Sequence, residues 1–316
     1  MKLAFLFPGQ GAQAVGMGRS LATAHREARE TFETADRVLG YALSKVAWEG
    51  PEDELKQTRH AQPALLVHGV AAFRQLDSAG FRPSWTAGHS LGEYTACVAA
   101  AALTFEDALA LVQKRGDLMH RAGTEWPGTM AAILGLDAAV VEAVCAEAAP
   151  AGVVKAANLN APGQVVISGE VAAVEKACEI AKQKGAKRAI RLEVSGAFHS
   201  PLMGAANQGL AEALDRTEFR DARCPVVANV DARPTTSGAE IRENLKRQLL
   251  SSVRWEESMR RLMQEGAEAF VEVGTGKVLR GLLRSIDREA RAFGVEDPES
   301  LQATQTALAA AAGERA

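Results

Sequence analysis

The sequence predicts an α/β fold built on a parallel sheet and interrupted midway by a second, smaller unit. Three observations carry that expectation. Strand-like and helix-like segments alternate from the amino terminus, as they do where helices join parallel strands. Gly88-His89-Ser90-Leu91-Gly92 matches G-x-S-x-G, a strained strand-to-helix turn that exposes a serine hydroxyl. Residues 128–195 then change to a β-α-β-β-α-β order, a ferredoxin-like unit.

Each element has its own local signal. Lys2–Phe7 reads as a buried strand closed by Pro8-Gly9-Gln10-Gly11. Ser20–Val38 reads as one helix, and Pro63–Leu76 as another with Pro63 in its first turn. Trp85-Thr86-Ala87 ends a short strand before the elbow, and the alanine-rich Leu91–Leu103 follows as a buried helix. Thr104 caps the next helix, with Asp107 placed as in a capping box. In the inserted unit, Thr129–Leu136, Val153–Ala157, Gln164–Ser168 and Lys187–Val194 read as strands, with Asn158–Gly163 as a loop. Asp137–Ala149 and Val171–Lys184 read as its helices. Pro225–Val230 and Ala267–Val273 are strands that rejoin the first sheet. The tail Ala307–Ala316 lacks an amphipathic face and is expected to fray. The expected division is a discontinuous unit, residues 1–127 and 196–316, around an insertion at 128–195.

A chain of 316 residues, 47% hydrophobic and 24% charged, is ordinary globular material with a sizeable core. A net charge of −3 argues against a molecule built to coat nucleic acid. The basic run Lys182–Arg188 reads as solvated surface or as a docking site for an acidic partner. Cys97, Cys145, Cys178 and Cys224 lack metal-ligand or C-x-x-C spacing and read as free thiols of a reducing compartment. No apolar run approaches the ~20 residues of a membrane helix, and Leu3–Phe7 is too short for a secretory segment. The expected location is the cytoplasm.

An elbow serine needs a base. Of six histidines, His25, His60, His68 and His120 lie on or beside helices and read as structural. His89 adjoins Ser90 and points away on such a turn. His199 follows a strand, in a loop of small residues running from Ser195 to Pro201, and is the best candidate. Arg115 is a second clue. At ~100° per residue it falls amid Phe105, Ala108, Leu111, Val112, Leu118, Met119 and Ala122, on the inward face of its helix. A guanidinium there needs a partner, either a buried carboxylate or a substrate anion held by its two-pronged fork. Gly9-x-Gly11-x-x-Ala14 loosely matches a dinucleotide fingerprint, but Glu33 and Asp36 lie in a helical stretch, so a nicotinamide or flavin site is rejected. Beside an elbow, that loop can instead offer backbone N–H groups to an oxyanion.

Phe7-Pro8-Gly9-Gln10-Gly11, Gly88-His89-Ser90-Leu91-Gly92-Glu93-Tyr94, Arg115, Gly196-Ala197-Phe198-His199-Ser200 and Glu272-Val273-Gly274-Thr275-Gly276 occur in that order. With them, from Lys2 to about Val295, the chain resembles the malonyl-CoA:acyl-carrier-protein transacylases of fatty acid synthesis. It is also similar to the acyltransferase domains of polyketide synthases. The resemblance implies an α/β-hydrolase-like core interrupted by a ferredoxin-like subdomain. It implies Ser90 as nucleophile and His199 as its base. Gln10 and Leu91 would supply the oxyanion N–H groups, and Arg115 would hold the malonyl carboxylate. The Gln248 backbone carbonyl would orient His199 in place of a triad acid. Asn160 and Gln164 would line the cleft. Phe198 suits malonyl better than methylmalonyl, although one methyl is worth only ~1–3 kcal/mol. The family often has Gly-Pro-Gly where this chain has Gly274-Thr275-Gly276, and polyketide domains selecting malonyl often have His at the position of Gly196.

The implied substrates are malonyl-CoA and acyl carrier protein, with no cofactor, metal, nucleic acid or membrane, and a monomer suffices. An acidic carrier would meet Lys187, Arg188, Arg191, Lys277 and Arg280 near the cleft mouth. The rivals are a thioesterase or esterase using the same Ser–His pair, a non-catalytic carrier-binding module, and a freestanding acyltransferase of a polyketide pathway.

Overall fold

The computed structural model describes residues 1–313. Its ten strands are β1 (Leu3–Phe7), β2 (Trp85–Gly88), β3 (Gly128–Leu134), β4 (Val154–Ala161), β5 (Gln164–Glu170), β6 (Arg188–Arg191), β7 (Val226–Val227), β8 (Pro234–Thr235), β9 (Ala269–Val273) and β10 (Ala292–Val295). They form a six-stranded sheet ordered β10-β9-β1-β2-β7-β8 and a four-stranded sheet ordered β4-β5-β3-β6. The larger sheet is parallel except for β8, and the smaller is antiparallel throughout.

Alternation along β1 explains the layering. Leu3, Phe5 and Phe7 point into one apolar cluster, while Ala4 and Leu6 point into another. Helices Arg26–Leu39, Thr58–Ser78, Gly92–Ala99 and Phe105–Glu125 cover the first face; Trp255–Gln264 and Val278–Ile286 cover the second. A strand buried on both faces needs no polar side, so its sequence reads as the unbroken apolar run Leu-Ala-Phe-Leu-Phe. The small sheet packs Ala131, Ile133, Val165 and Ile167 against helices Ala138–Ala148 and Val171–Gln183. Its other face sends Met130, Ala157 and Val166 toward the main core. The β-α-β-β-α-β order holds.

Several boundaries differ from the sequence expectation. The helix read across Ser20–Val38 is two, Arg19–Ala24 and Arg26–Leu39, split at an extended His25. His25 closes the first with its N–H on the Leu21 carbonyl, and its own carbonyl accepts from Arg29 N–H in the second. Pro63 lies inside helix Thr58–Ser78 rather than in its first turn. Proline cannot donate to the preceding turn, but this helix is buried over most of its length, and packing outweighs one missing bond. The Leu91–Leu103 helix stops at Ala99. There Ala101 adopts φ 60°, with Ala102 N–H on Cys97 O and Ala101 N–H on Val98 O. That is a Schellman cap built on alanine instead of glycine, so nothing in the sequence announces it. Asn158–Ala161, read as a loop, continues β4 through two register shifts. Pro225–Val230 contributes only the two residues of β7. The carboxy-terminal helix is Pro298–Gly313, with Leu308 and Ala311 buried; the last three positions of the tail lie outside the described residues.

Candidate active site

The elbow is built from sterics. A Cβ on Gly88 would lie 1.9 Å from the Gly92 carbonyl carbon and oxygen, and a Cβ on Gly92 would lie 2.0 Å from Phe7 O. A Cβ on Gly9 would lie 2.4 Å from His89 O. Only glycine lets β1, β2 and the following helix approach this closely. The crowded turn leaves Ser90 at φ 51°, in the left-handed region. Gly92→Ala is expected to destabilise the fold by about 3 kcal/mol or more, because the clash is with backbone. Denaturant unfolding measures it, and a loss under ~1 kcal/mol would contradict this account.

The Ser90 Oγ lies 2.8 Å from His199 Nε2. His199 Nδ1 faces two carbonyl oxygens, of Gln248 and Ser251, each at 3.1 Å. Both are acceptors, so the proton belongs on Nδ1, and Nε2 presents a lone pair to the serine hydroxyl. Burial, and then the nearby Arg115 charge, push the His199 pKa down to about 3, which keeps the ring neutral. Like Ser90, His199 has a positive φ, at 59°.

Arg115 is 1% exposed, on the inward face its spacing assigned. Its Nη1 donates to Gln62 Oε1 at 2.7 Å; Nη2 donates to Ser90 Oγ at 3.0 Å and to Gln248 Oε1 at 3.2 Å. The guanidinium also stands 5.7 Å over the Tyr94 ring. No carboxylate within ion-pair distance occupies the fork among the described residues.

Gln10 and Leu91 follow the ends of adjacent strands, β1 and β2. β1 and β2 pair with Phe7 opposite Gly88, and the turns that leave the two strands there carry Gln10 and Leu91. Among the described residues neither backbone N–H has a protein acceptor. Asn160 Oδ1 accepts from His89 Nε2 at 2.8 Å, and the His89 ring packs on Trp255. Asn160, Gln164 and Phe198 line a cleft of about 440 Å³ with Ser90, Arg115 and His199. Met119, Met130 and Val166 form its apolar wall.

Four participants were not singled out from the sequence. Gln62 holds Arg115, and Ser251 holds His199. Asn229 takes the Ser90 N–H on Oδ1 at 2.7 Å. Glu93 is buried behind the elbow. The inward-charge argument used for Arg115 applies equally to Glu93, the one charged residue of its helix. The other three are polar residues on loops or helices with no local signal.

Of the basic candidates, Arg280 is engaged: its Nε lies 3.3 Å from the fully buried Glu272 carboxylate, which also caps helix Val278–Ile286. Lys277 and Arg191 are exposed and adjoin the cleft-lining Val278 and Leu192, though Arg191 also donates to Thr129 Oγ1 at 3.2 Å and lies 3.6 Å from Glu175. Lys187 and Arg188 sit at the opposite end of β6 from Leu192.

An elbow serine paired with a buried neutral histidine, on an α/β core, defines proteins that handle acyl groups through a serine. More narrowly, the chain belongs to the acyl transferase domain family, whose profile matches residues 4–294. A malonyl CoA-acyl carrier protein transacylase of Bacillus subtilis is 48% identical over 302 residues, spanning 95% of each chain. The solved malonyl CoA-acyl carrier protein transacylase of Coxiella burnetii superposes with a TM-score of 0.94 at 40% identity, covering 97% of both chains. A malonyl-transacylase solved in complex with its type II PKS acyl-carrier protein gives 0.92 at 44% identity, covering 95% of this chain and 98% of that one.

Proposed function

We propose that this chain transfers the malonyl group of malonyl-CoA to the phosphopantetheine thiol of acyl carrier protein, through a malonyl–Ser90 ester, in fatty acid biosynthesis. One observation carries the reading: the buried Arg115 fork touches the nucleophile, Nη2 to Oγ at 3.0 Å. An acyl group delivered to Ser90 therefore meets a cation matched to a carboxylate. A plain hydrolase has no use for it.

Ser90 attacks the thioester carbonyl while His199 Nε2 takes the hydroxyl proton. The oxyanion is received by the N–H groups of Gln10 and Leu91; one such donor is typically worth ~2.7–4 kcal/mol. His199 then protonates the leaving coenzyme A thiolate. The carrier thiol repeats these steps in reverse. Pairing of the malonyl carboxylate with Arg115 cancels a charge that weakens His199. The base therefore strengthens when the matching substrate is seated. Asn160, Gln164 and Phe198 line the path of the acyl chain, and no step calls for a cofactor. Residues 1–127 with 196–316 act as the catalytic unit and 128–195 as its second wall. Four free thiols support a cytoplasmic setting, and no helix among the described residues is long and apolar enough to cross a membrane. A type II PKS carrier as acceptor is a second reading, favoured by the likeness to the transacylase solved with one.

Intact-protein mass spectrometry after brief mixing with malonyl-CoA tests the proposal. A malonyl adduct that carrier protein removes is expected; release of coenzyme A without adduct would mean hydrolysis. For docking, Lys277→Glu with Arg191→Glu is expected to raise the carrier KM roughly 10-fold at low salt. Acylation by a short, uncharged-tail malonyl thioester should stay unchanged. Equal carrier KM values at low salt would place the docking surface elsewhere.

A further inference from the structure

Helix Gly92–Ala99 carries one charged side chain, Glu93, and buries it to 1% exposure directly behind the nucleophile. Glu93 Oε2 accepts from Asn229 N–H at 3.1 Å and from Gln248 Nε2 at 2.7 Å. Those two partners grip the elbow on both sides. Asn229 Oδ1 accepts the Ser90 N–H at 2.7 Å, and Asn229 Nδ2 donates to Gly88 O at 2.7 Å. Gln248 Nε2 donates to the Ser90 carbonyl at 2.9 Å.

Gln248 also touches the other two reactive residues. Its Oε1 accepts from Arg115 Nη2 at 3.2 Å, and its backbone carbonyl faces His199 Nδ1 at 3.1 Å. The amide has one workable orientation. Arg115 offers only N–H donors and an ionised Glu93 only acceptors, so a flipped amide would set donor on donor and acceptor on acceptor. The amide dipole thus bridges a buried cation and a buried anion, each polarising the bond to the other.

We infer that Glu93, as its anion, is a positioning residue for acyl transfer: it locks Gln248 and Asn229, and through them the Ser90 elbow, Arg115 and His199. The inference rests on the serine–acyl reading above. It carries a pH signature. The groups facing Glu93 are Arg115 from helix Phe105–Glu125, which favours its anion, and Asp231 from the loop after β7, which opposes it. Tyr94 and Cys97 on its own helix are held neutral by burial, and His199 stays neutral above about 3. Burial dominates and pushes Glu93 up to about 7. As pH falls through that value the carboxyl gains a proton, the bridge loses its anion, and the rate should fall. In the free chain His199 adds no limb there, and a limb that survives Glu93→Gln would belong to His199.

The test compares wild type with Glu93→Gln, a neutral side chain of the same shape. Single-turnover acylation by malonyl-CoA and by acetyl-CoA is followed by intact mass from about pH 5 to 9, with thermal unfolding alongside. Ser90 labelling by phenylmethylsulfonyl fluoride is measured over the same range. The wild-type malonyl rate should fall as pH drops through 7 and level off about 10-fold down, where the carboxyl is neutral. Glu93→Gln should be folded, flat across that limb, slower at pH 8 by about 10-fold, and less selective for malonyl over acetyl. Glu93→Asp should restore the limb. A folded Glu93→Gln that keeps the wild-type limb and selectivity overturns the inference, even if slower. If Glu93→Gln does not fold, the wild-type malonyl:acetyl ratio decides: it should fall below pH 7, and a constant ratio overturns the lock. A wild-type chain that takes no malonyl overturns the proposed function instead. The sulfonyl fluoride rates, which need only Ser90 and His199, then decide the role of Glu93 alone.

Discussion

Ser90→Ala is expected to remove the acyl-enzyme entirely and to cut transfer by about 10⁴-fold or more, the scale on which loss of a nucleophile acts in serine enzymes. The hydroxyl is the hub of the site: it lies 2.8 Å from His199 Nε2 and accepts from Arg115 Nη2 at 3.0 Å. Alanine keeps the Cβ that the crowded turn already accommodates at φ 51°. The backbone bonds at Ser90 N and O, to Asn229 and Gln248, also survive. The loss should therefore be chemical, with a melting temperature within a few degrees of wild type. Intact mass after mixing with malonyl-CoA gives the answer. A persisting adduct would move the nucleophile elsewhere and remove the basis of the mechanism.

Arg115→Ala is expected to lower malonyl transfer by about 10²–10⁴-fold, corresponding to two charge-assisted hydrogen bonds at ~1.5–3 kcal/mol each. Acetyl transfer, which offers no carboxylate, should change far less, since only positioning of Ser90 is disturbed. The substitution also strands Gln62 Oε1 and Gln248 Oε1, both now bound to the guanidinium, so some stability will be lost. That loss does not confuse the test. The malonyl:acetyl ratio is taken on one folded population and is blind to how large that population is. Equal losses for both donors would end the carboxylate role.

How much of this was readable in advance depends on the range of the forces involved. The elbow announces itself because its constraint is local: two glycines answer clashes with residues a few positions away or on the neighbouring strand. Arg115 is legible because a charge on an apolar stripe violates helical periodicity. Glu93 breaks the same rule on an alanine-rich helix and was equally legible, yet it passed as part of a motif. Asn229 was not legible. It reaches Ser90 across 139 positions, and only the packing of β7 beside β2 brings it there. The same holds for the fold. β1, β9 and the inserted unit have strong apolar patterns, whereas β7 and β8 are two residues each, too short for any period to show. The helix end at Ala101 was invisible because alanine occupies a position that glycine usually signals.

The continuation of β4 through Asn158–Ala161 bears on how such a chain can be recombined. Leu159 N–H donates to Val253 O at 2.9 Å, Val253 N–H to Ala157 O at 2.8 Å, and Ser252 Oγ to Ala156 O at 2.6 Å. Lys155 Nζ reaches Leu250 O at 3.1 Å. β4 of the smaller sheet is thus stitched to residues 250–253, just past Gln248 and around Ser251, whose carbonyls face His199. It is not a cassette. A chimera that exchanged residues 128–195 for those of a relative would also pull on His199. To keep the base aligned, the graft would have to carry the 249–253 segment with it.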